Sequence, residues 1–97
     1  MTIKVEGISV EWDASKNATN IRKHHIDFAD AALVFSDANR VELYDVTHSN
    51  SEDRYIAIGM VNDVLFVVYT ERGKSIRIIS ARRATPSEKE YYYEQNR

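Results

Sequence analysis

The chain has no cysteine, a single proline, three glycines and no long apolar run. Each shortage removes a class of explanation. Without cysteine there are neither disulfides nor thiolate chemistry, a composition that suits a reducing compartment. The longest apolar stretch, Val64 to Tyr69, is too short to span a bilayer, and Met1 to Val10 mixes Lys4 and Glu6 with scattered apolar residues, unlike a signal peptide. A cytoplasmic protein without membrane contact is therefore expected. So few glycines leave no Gly-rich phosphate loop, and no nucleophile-elbow motif is present.

At 97 residues, 43% of them hydrophobic and 29% charged, the chain has the size and balance of one soluble globular domain, read here as residues 1–97. A net charge of −2 argues against a nucleic-acid partner until the charges are located. Asp27, Asp30, Asp37, Glu42, Asp45, Glu52 and Asp53 are opposed in their stretch only by Arg40, whereas Arg72 to Arg83 contains Arg72, Lys74, Arg77, Arg82 and Arg83 and no acid. A basic stripe of this kind binds phosphate locally despite an acidic total; ordinary solvated charge on an edge strand is the plainer alternative. The acidic half serves solubility or the docking of a basic partner.

Val10-Glu11-Trp12 reads as a brief extended segment. Asp13 then caps a helix running to about Lys23, with Ala14, Ala18 and Ile21 as a narrow apolar stripe. A tight turn at His24-His25-Ile26 leads to a second helix from Asp27, whose Phe28, Ala31, Ala32 and Phe35 recur at helical spacing. Beyond Asp37 the period becomes extended, giving strands near 40–44, 54–61, 64–70 and 75–82, the last three an antiparallel meander. Asn62-Asp63 and Glu71-Arg72-Gly73-Lys74 supply its turns, and the polar stretch Asp45–Asp53 is an exposed loop. Thr85-Pro86-Ser87-Glu88 is a capping box with proline at the first helical position, so a C-terminal helix starts there. Helices followed by a run of strands make an α+β fold.

No histidine or carboxylate pattern suggests a metal site: His24 and His25 are adjacent and diverge, and His48 lies in a loop without a ligand pattern beside it. No cofactor is indicated. What remains is arginine, histidine, tyrosine and glutamate on a small sheet, a set that can cleave RNA without metal. The substrate supplies the nucleophile: a ribose 2′-hydroxyl attacks the neighbouring phosphorus if guanidinium groups hold the phosphate and stabilise the transition-state charge. Arg54, Arg77 and Arg82 or Arg83 are the candidates for that role, and His24 is the proton-transfer residue, since histidine changes charge near neutrality. Strict alternation places Arg77, Ile79, Ala81 and Arg83 on one face of the last strand. Lys23, Arg72, Lys74 and Arg83 are candidate RNA-binding residues. Tyr91, Tyr92 and Tyr93 cannot all face one core, so Tyr91 and Tyr92 are candidates for packing or a partner surface.

These residues resemble a known family. Glu11-Trp12-Asp13 followed by Lys16, Asn20, Lys23-His24, Phe28 and Ala31-Ala32 is similar to the amino-terminal pattern of BrnT toxins. His48, Glu52, Arg54 and Gly59, then Tyr69-Thr70-Glu71-Arg72-Gly73, the run Ile76 to Ala84, Glu88 and Tyr92 continue it in order. Where many such chains carry glycine after the Lys-His pair, this one has His25, which must then take a left-handed conformation. The resemblance implies a RelE-like fold, with helices packed on a small curved antiparallel sheet, and a bacterial ribonuclease toxin. It further implies a BrnA-like DNA-binding antitoxin through which alone the pair contacts operator DNA. The rival is a non-catalytic module that binds a repressor and modulates its DNA binding.

Overall fold

The computed structural model describes residues 1–97. Its first two strands, β1 (Thr2–Val5) and β2 (Ile8–Glu11), form a hairpin through Glu6 and Gly7, both left-handed. Sequence reading found only the end of β2 here. Helix α1 (Ala14–His24) follows, capped by the Asp13 carboxylate, which accepts the Lys16 amide at 2.9 Å. His25 ends it at φ 59°, donating its amide to the Ile21 carbonyl, so histidine does occupy the left-handed position usually left to glycine. The second helix is one short α segment, α2 (Phe28–Ala31), capped by Asp27 and continuing as a 3₁₀ stretch over Ala32–Ser36.

Four strands come next: β3 (Val41–Tyr44), β4 (Arg54–Val61), β5 (Asp63–Arg72) and β6 (Ser75–Arg83). Asn62 turns the β4–β5 hairpin alone, at φ 61°. Helix α3 (Pro86–Gln95) begins at the expected capping box, with both reciprocal bonds between Thr85 and Glu88 in place. The six strands form one sheet in the order β1-β2-β6-β5-β4-β3. Every pair is antiparallel except β2–β6, so the N-terminal hairpin turns the antiparallel sheet read from the sequence into a mixed one. It also places β6 inside the sheet, not at its edge.

One face carries Val10, Ala57, Leu65, Val67, Tyr69, Ile78 and Ala81, covered by Trp12, Phe28, Ala31, Val34 and Phe35. Gly59 permits the close approach there: a Cβ on it would lie 2.8 Å from a Val34 methyl. The opposite face is only partly covered. There Tyr92 of α3 packs with Ile58, Val64 and Ala84, and its hydroxyl donates to the Asp37 carboxylate at 2.6 Å. Val68 and Ser80 remain half-exposed.

Two expectations about packing need correction. The α1 stripe of Ala14, Ala18 and Ile21 faces solvent, and the helix's one buried residue is Asn20. Its amide accepts the Ala81 N–H at 3.1 Å and donates to the carbonyls of Ala81 and Ile26 at 2.9 and 3.0 Å. Strand β2 pairs β6 only from Ser75 to Arg77, so the β6 backbone beyond would be unpaired, and Asn20 takes the place of the missing strand. The second correction concerns β6 itself. Val68 pairs with Ser80 while Tyr69 pairs with Ile78, leaving Ile79 as an extra residue in a bulge. Alternation is reset there, so Arg77 shares its face with Arg82 and not with Arg83.

Candidate functional site

The open face carries one row of polar side chains running across the sheet. Register aligns Thr2 with Glu11, Glu11 with Arg77, Arg77 with Thr70, and Thr70 with Arg54. The ladder continues one residue past β3, where the Asp45 amide donates to the Arg54 carbonyl at 2.8 Å. Strand spacing puts the Cα atoms of Arg54 and Arg77 about 10 Å apart, with only the short, buried Thr70 between them. The Thr70 hydroxyl is spent on the Asp53 carbonyl, 2.8 Å away. Two long guanidinium side chains thus flank a low point, close enough to close on one phosphate.

Charge partners separate the arginines. Arg72 lies 3.7 Å from Glu52, Arg83 lies 3.7 Å from Asp63, and Arg82 makes two bonds to the Glu88 carboxylate, at 2.8 and 3.0 Å. Arg54 and Arg77 have no carboxylate within 4.0 Å. Arg77 still exerts its charge nearby: the Asp13 carboxyl is held below its ordinary range, chiefly by the Lys16 amide and with a contribution from Arg77.

Arg82 stands on the same face, with its guanidinium 4.0 Å from the centre of the Phe66 ring. Its bond with Glu88 raises the Arg82 pKa and lowers that of Glu88, tying β6 to the start of α3. Lys74 sits in the β5–β6 turn beside Arg72, while Arg83 ends the same strand. These ends lie about 25 Å apart at strand rise, so the basic stretch of the sequence is spread along β6 and not gathered into a patch.

Lys23 and His24 are brought to one cleft. With Ser15, Lys16, Asn20 and Ser80 they line a cleft of about 260 Å³ between α1 and β6. His24 is half-buried there, whereas His25 is exposed and lines a different hollow near Asp63 and Arg83, so the two histidines are not interchangeable. Tyr92 is buried with its hydroxyl engaged, which removes it from any partner surface of the chain as it stands; Tyr91 and Tyr93 are the exposed members of the triplet.

Sequence reasoning gave no role to Lys16, Glu11 or the pair Asp45–His48. Lys16, Asn20 and Lys23-His24 fall at helical spacing, a signal passed over in favour of the apolar stripe. The His48 ring nitrogen Nδ1 lies 3.0 Å from the Asp45 carboxylate, a contact between loop residues without any periodicity to announce it. No group of three or more histidine or acidic side chains is placed to share a metal ion. No helix is long and apolar enough to cross a membrane.

Comparison with known proteins gives these features a context. A family model described as the ribonuclease toxin BrnT of type II toxin–antitoxin systems matches residues 12–88. The crystal structure of the Brucella abortus ribonuclease toxin BrnT is similar with a TM-score of 0.58 and 31% identity, over 78% of this chain and 95% of that one. No curated protein matches. With most of its length covered by that model and its fold shared with a solved member, the chain belongs to the BrnT family of ribonuclease toxins of type II toxin–antitoxin systems.

Proposed function

We propose that the chain is a metal-independent endoribonuclease, acting as one unit over residues 1–97 in the cytoplasm and silenced by a BrnA-like antitoxin. The observation that carries this reading is the pair Arg54 and Arg77, the two arginines of the open face without a carboxylate partner, on either side of Thr70. Unneutralised guanidinium groups in such a gap grip a phosphodiester bidentately and stabilise the charge that builds on its oxygens during attack by the 2′-hydroxyl. His24, in the adjoining cleft with Lys16 and Lys23, moves a proton, and the lysines hold flanking phosphates. Arg82, with both edges of its fork on Glu88, contributes field at the side of the row. Arg72 and Lys74 at the hairpin tip and Arg83 at the far end can meet only a longer stretch of RNA. Tyr91 is offered to the antitoxin. Growth arrest follows from cleavage of RNA needed for translation, and operator DNA is reached only through the antitoxin.

The test is incubation of the partner-free protein with total RNA in excess EDTA, followed by mapping of the new ends. Products bearing 2′,3′-cyclic phosphate and 5′-hydroxyl ends are expected, and 5′-phosphate ends would refute self-cleavage chemistry. Arg77→Ala should slow cleavage by about 10²–10³-fold. Arg97→Ala, which removes an equal charge elsewhere, should leave the rate unchanged. Intact RNA, together with harmless expression in the absence of the antitoxin, would shift the reading to the non-catalytic adaptor.

A further inference from the structure

The polar row ends on the β3 side in a pair that the proposed function does not use. Alternation from Tyr44, which pairs with Tyr55 on the covered side, puts the Asp45 side chain on the same face as Arg54. The Asp45 carboxylate is largely buried, at 12% exposure, while the His48 side chain is 66% exposed. His48 Nδ1 approaches the two Asp45 oxygens at 3.0 and 3.3 Å, and its backbone amide donates to the same carboxylate at 3.3 Å. The ring is thereby fixed by one nitrogen, with Nε2 turned away from that partner.

This contact is not what closes the loop. Ser49 does that: its hydroxyl donates to the Asp45 carbonyl at 2.6 Å and accepts the Arg54 amide at 2.9 Å. The far side of the loop is held by the Tyr44 hydroxyl on the Asp53 carboxylate and by Thr70 on the Asp53 carbonyl. A loop already braced at both ends has no need of a carboxylate-held imidazole, yet it presents one next to Arg54.

We propose that His48, positioned by Asp45, is a second proton-transfer residue of the RNA site, on the Arg54 side of the Arg54–Arg77 gap. The inference rests on the ribonuclease reading above. In-line transesterification forms a bond from the 2′-oxygen to phosphorus and breaks the bond from phosphorus to the 5′-oxygen on the opposite side. One group must accept the 2′-hydroxyl proton and another must donate a proton to the departing 5′-oxygen, with no net change in protons. The imidazole of His48, held by Asp45 on the face of Arg54, supplies one of these two groups, and His24, which lines the α1–β6 cleft with Ser80, remains the candidate for the other. Asp45 is a positioning residue, because it reaches the substrate only through the ring.

The test is single-turnover cleavage of an RNA oligonucleotide by the whole protein and its His48→Ala and His48→Gln variants, with RNA affinity measured alongside. Both variants should lose about 10²-fold or more in rate with affinity for RNA unchanged, and free imidazole should restore much of the loss in His48→Ala. Asp45→Asn should lose less, without rescue by imidazole. Parental protein that cleaves while both His48 variants stay within about 3-fold of it would overturn the assignment and leave the ribonuclease reading standing. A rate loss matched by an equal loss of RNA affinity would overturn it too. Parental protein that does not cleave would remove both readings together.

Discussion

Asn20→Ala is the substitution with the largest expected structural consequence, because Asn20 does the work of a missing strand. The side-chain amide makes three hydrogen bonds, two to the Ala81 backbone and one to the Ile26 carbonyl, in a site only 6% exposed. A buried hydrogen bond is worth about 1 kcal/mol net, and each backbone group left unpaired costs about 1–3 kcal/mol unless water reaches it. Allowing for partial water entry, the loss is about 3–5 kcal/mol, a large fraction of the stability of a small domain. With a urea dependence of about 1.5 kcal/mol per molar, the unfolding midpoint should fall by about 2–3 M. Asn20→Asp sharpens the test. It keeps an acceptor for the Ala81 N–H but sets a carboxylate against two carbonyl oxygens, so it should be at least as damaging at neutral pH and recover partly on acidification. Urea titration by circular dichroism measures both. If Asn20→Ala shifts stability by less than about 1 kcal/mol, the amide is not the seat of α1 on β6.

The Tyr92–Asp37 contact and the His25 turn give two further tests. Asp37 also accepts the Met60 and Asn39 amides; burial alone would raise its pKa, but the bonds from Tyr92 and the two amides hold it below the ordinary carboxylate range. Tyr92→Phe should cost about 1–2 kcal/mol, read as a fall in Tm of about 5–15 °C, and an unchanged Tm would show that the hydroxyl contributes nothing. A lowered folded-state pKa gives stability that is present above the unfolded value, near 4, and is lost as pH falls through the folded one. Parental protein should therefore weaken below about pH 4, from Asp37 and from Glu88, and Tyr92→Phe should show a shallower acid loss. His25→Gly should stabilise by about 0.5–1 kcal/mol, since φ 59° costs a side chain what it does not cost glycine, and a destabilised variant would refute the strain argument.

Much of the fold was legible because its signals are local. The Asp13 cap, the Thr85–Glu88 capping box and the alternating strands of the meander each depend on neighbours a few residues apart. The β1–β2 hairpin was missed because Thr2–Val5 is short and its turn is Glu6-Gly7, not a residue pair with strong hairpin preference. The α1 face was misjudged for a different reason. Small apolar residues at helical spacing look like a core stripe, but the unpaired backbone of β6 attracts a hydrogen-bonding side chain more strongly than Ala14 or Ala18 attracts apolar cover. Nor does any local signal mark the bulge at Ile79. One extra residue there decides which arginines share a face, and strict alternation joins Arg77 to the wrong partner.

The arginine assignments show the limit of charge counting. Arg72, Arg77, Arg82 and Arg83 are equivalent members of one basic stretch in the sequence, yet Glu52, Glu88 and Asp63 lie within 4.0 Å of three of them, while Arg77, beside Glu11 in the register, has no carboxylate within that distance. Each of those carboxylates is far from its arginine along the chain or across a turn, so the pairing is a product of the fold. A partnered guanidinium must give up its carboxylate to take a phosphate, whereas Arg54 and Arg77 need give up only water. Substituting a partner should therefore separate the groups: removing the carboxylate of Glu88 frees Arg82 but loosens the start of α3, and it adds no third cation to the gap at Thr70, because Arg82 lies farther along the strand beside Phe66. In the proposed RNA site, register decides which cations flank Thr70, and those the fold has already paired with carboxylates are the poorer candidates for its grip.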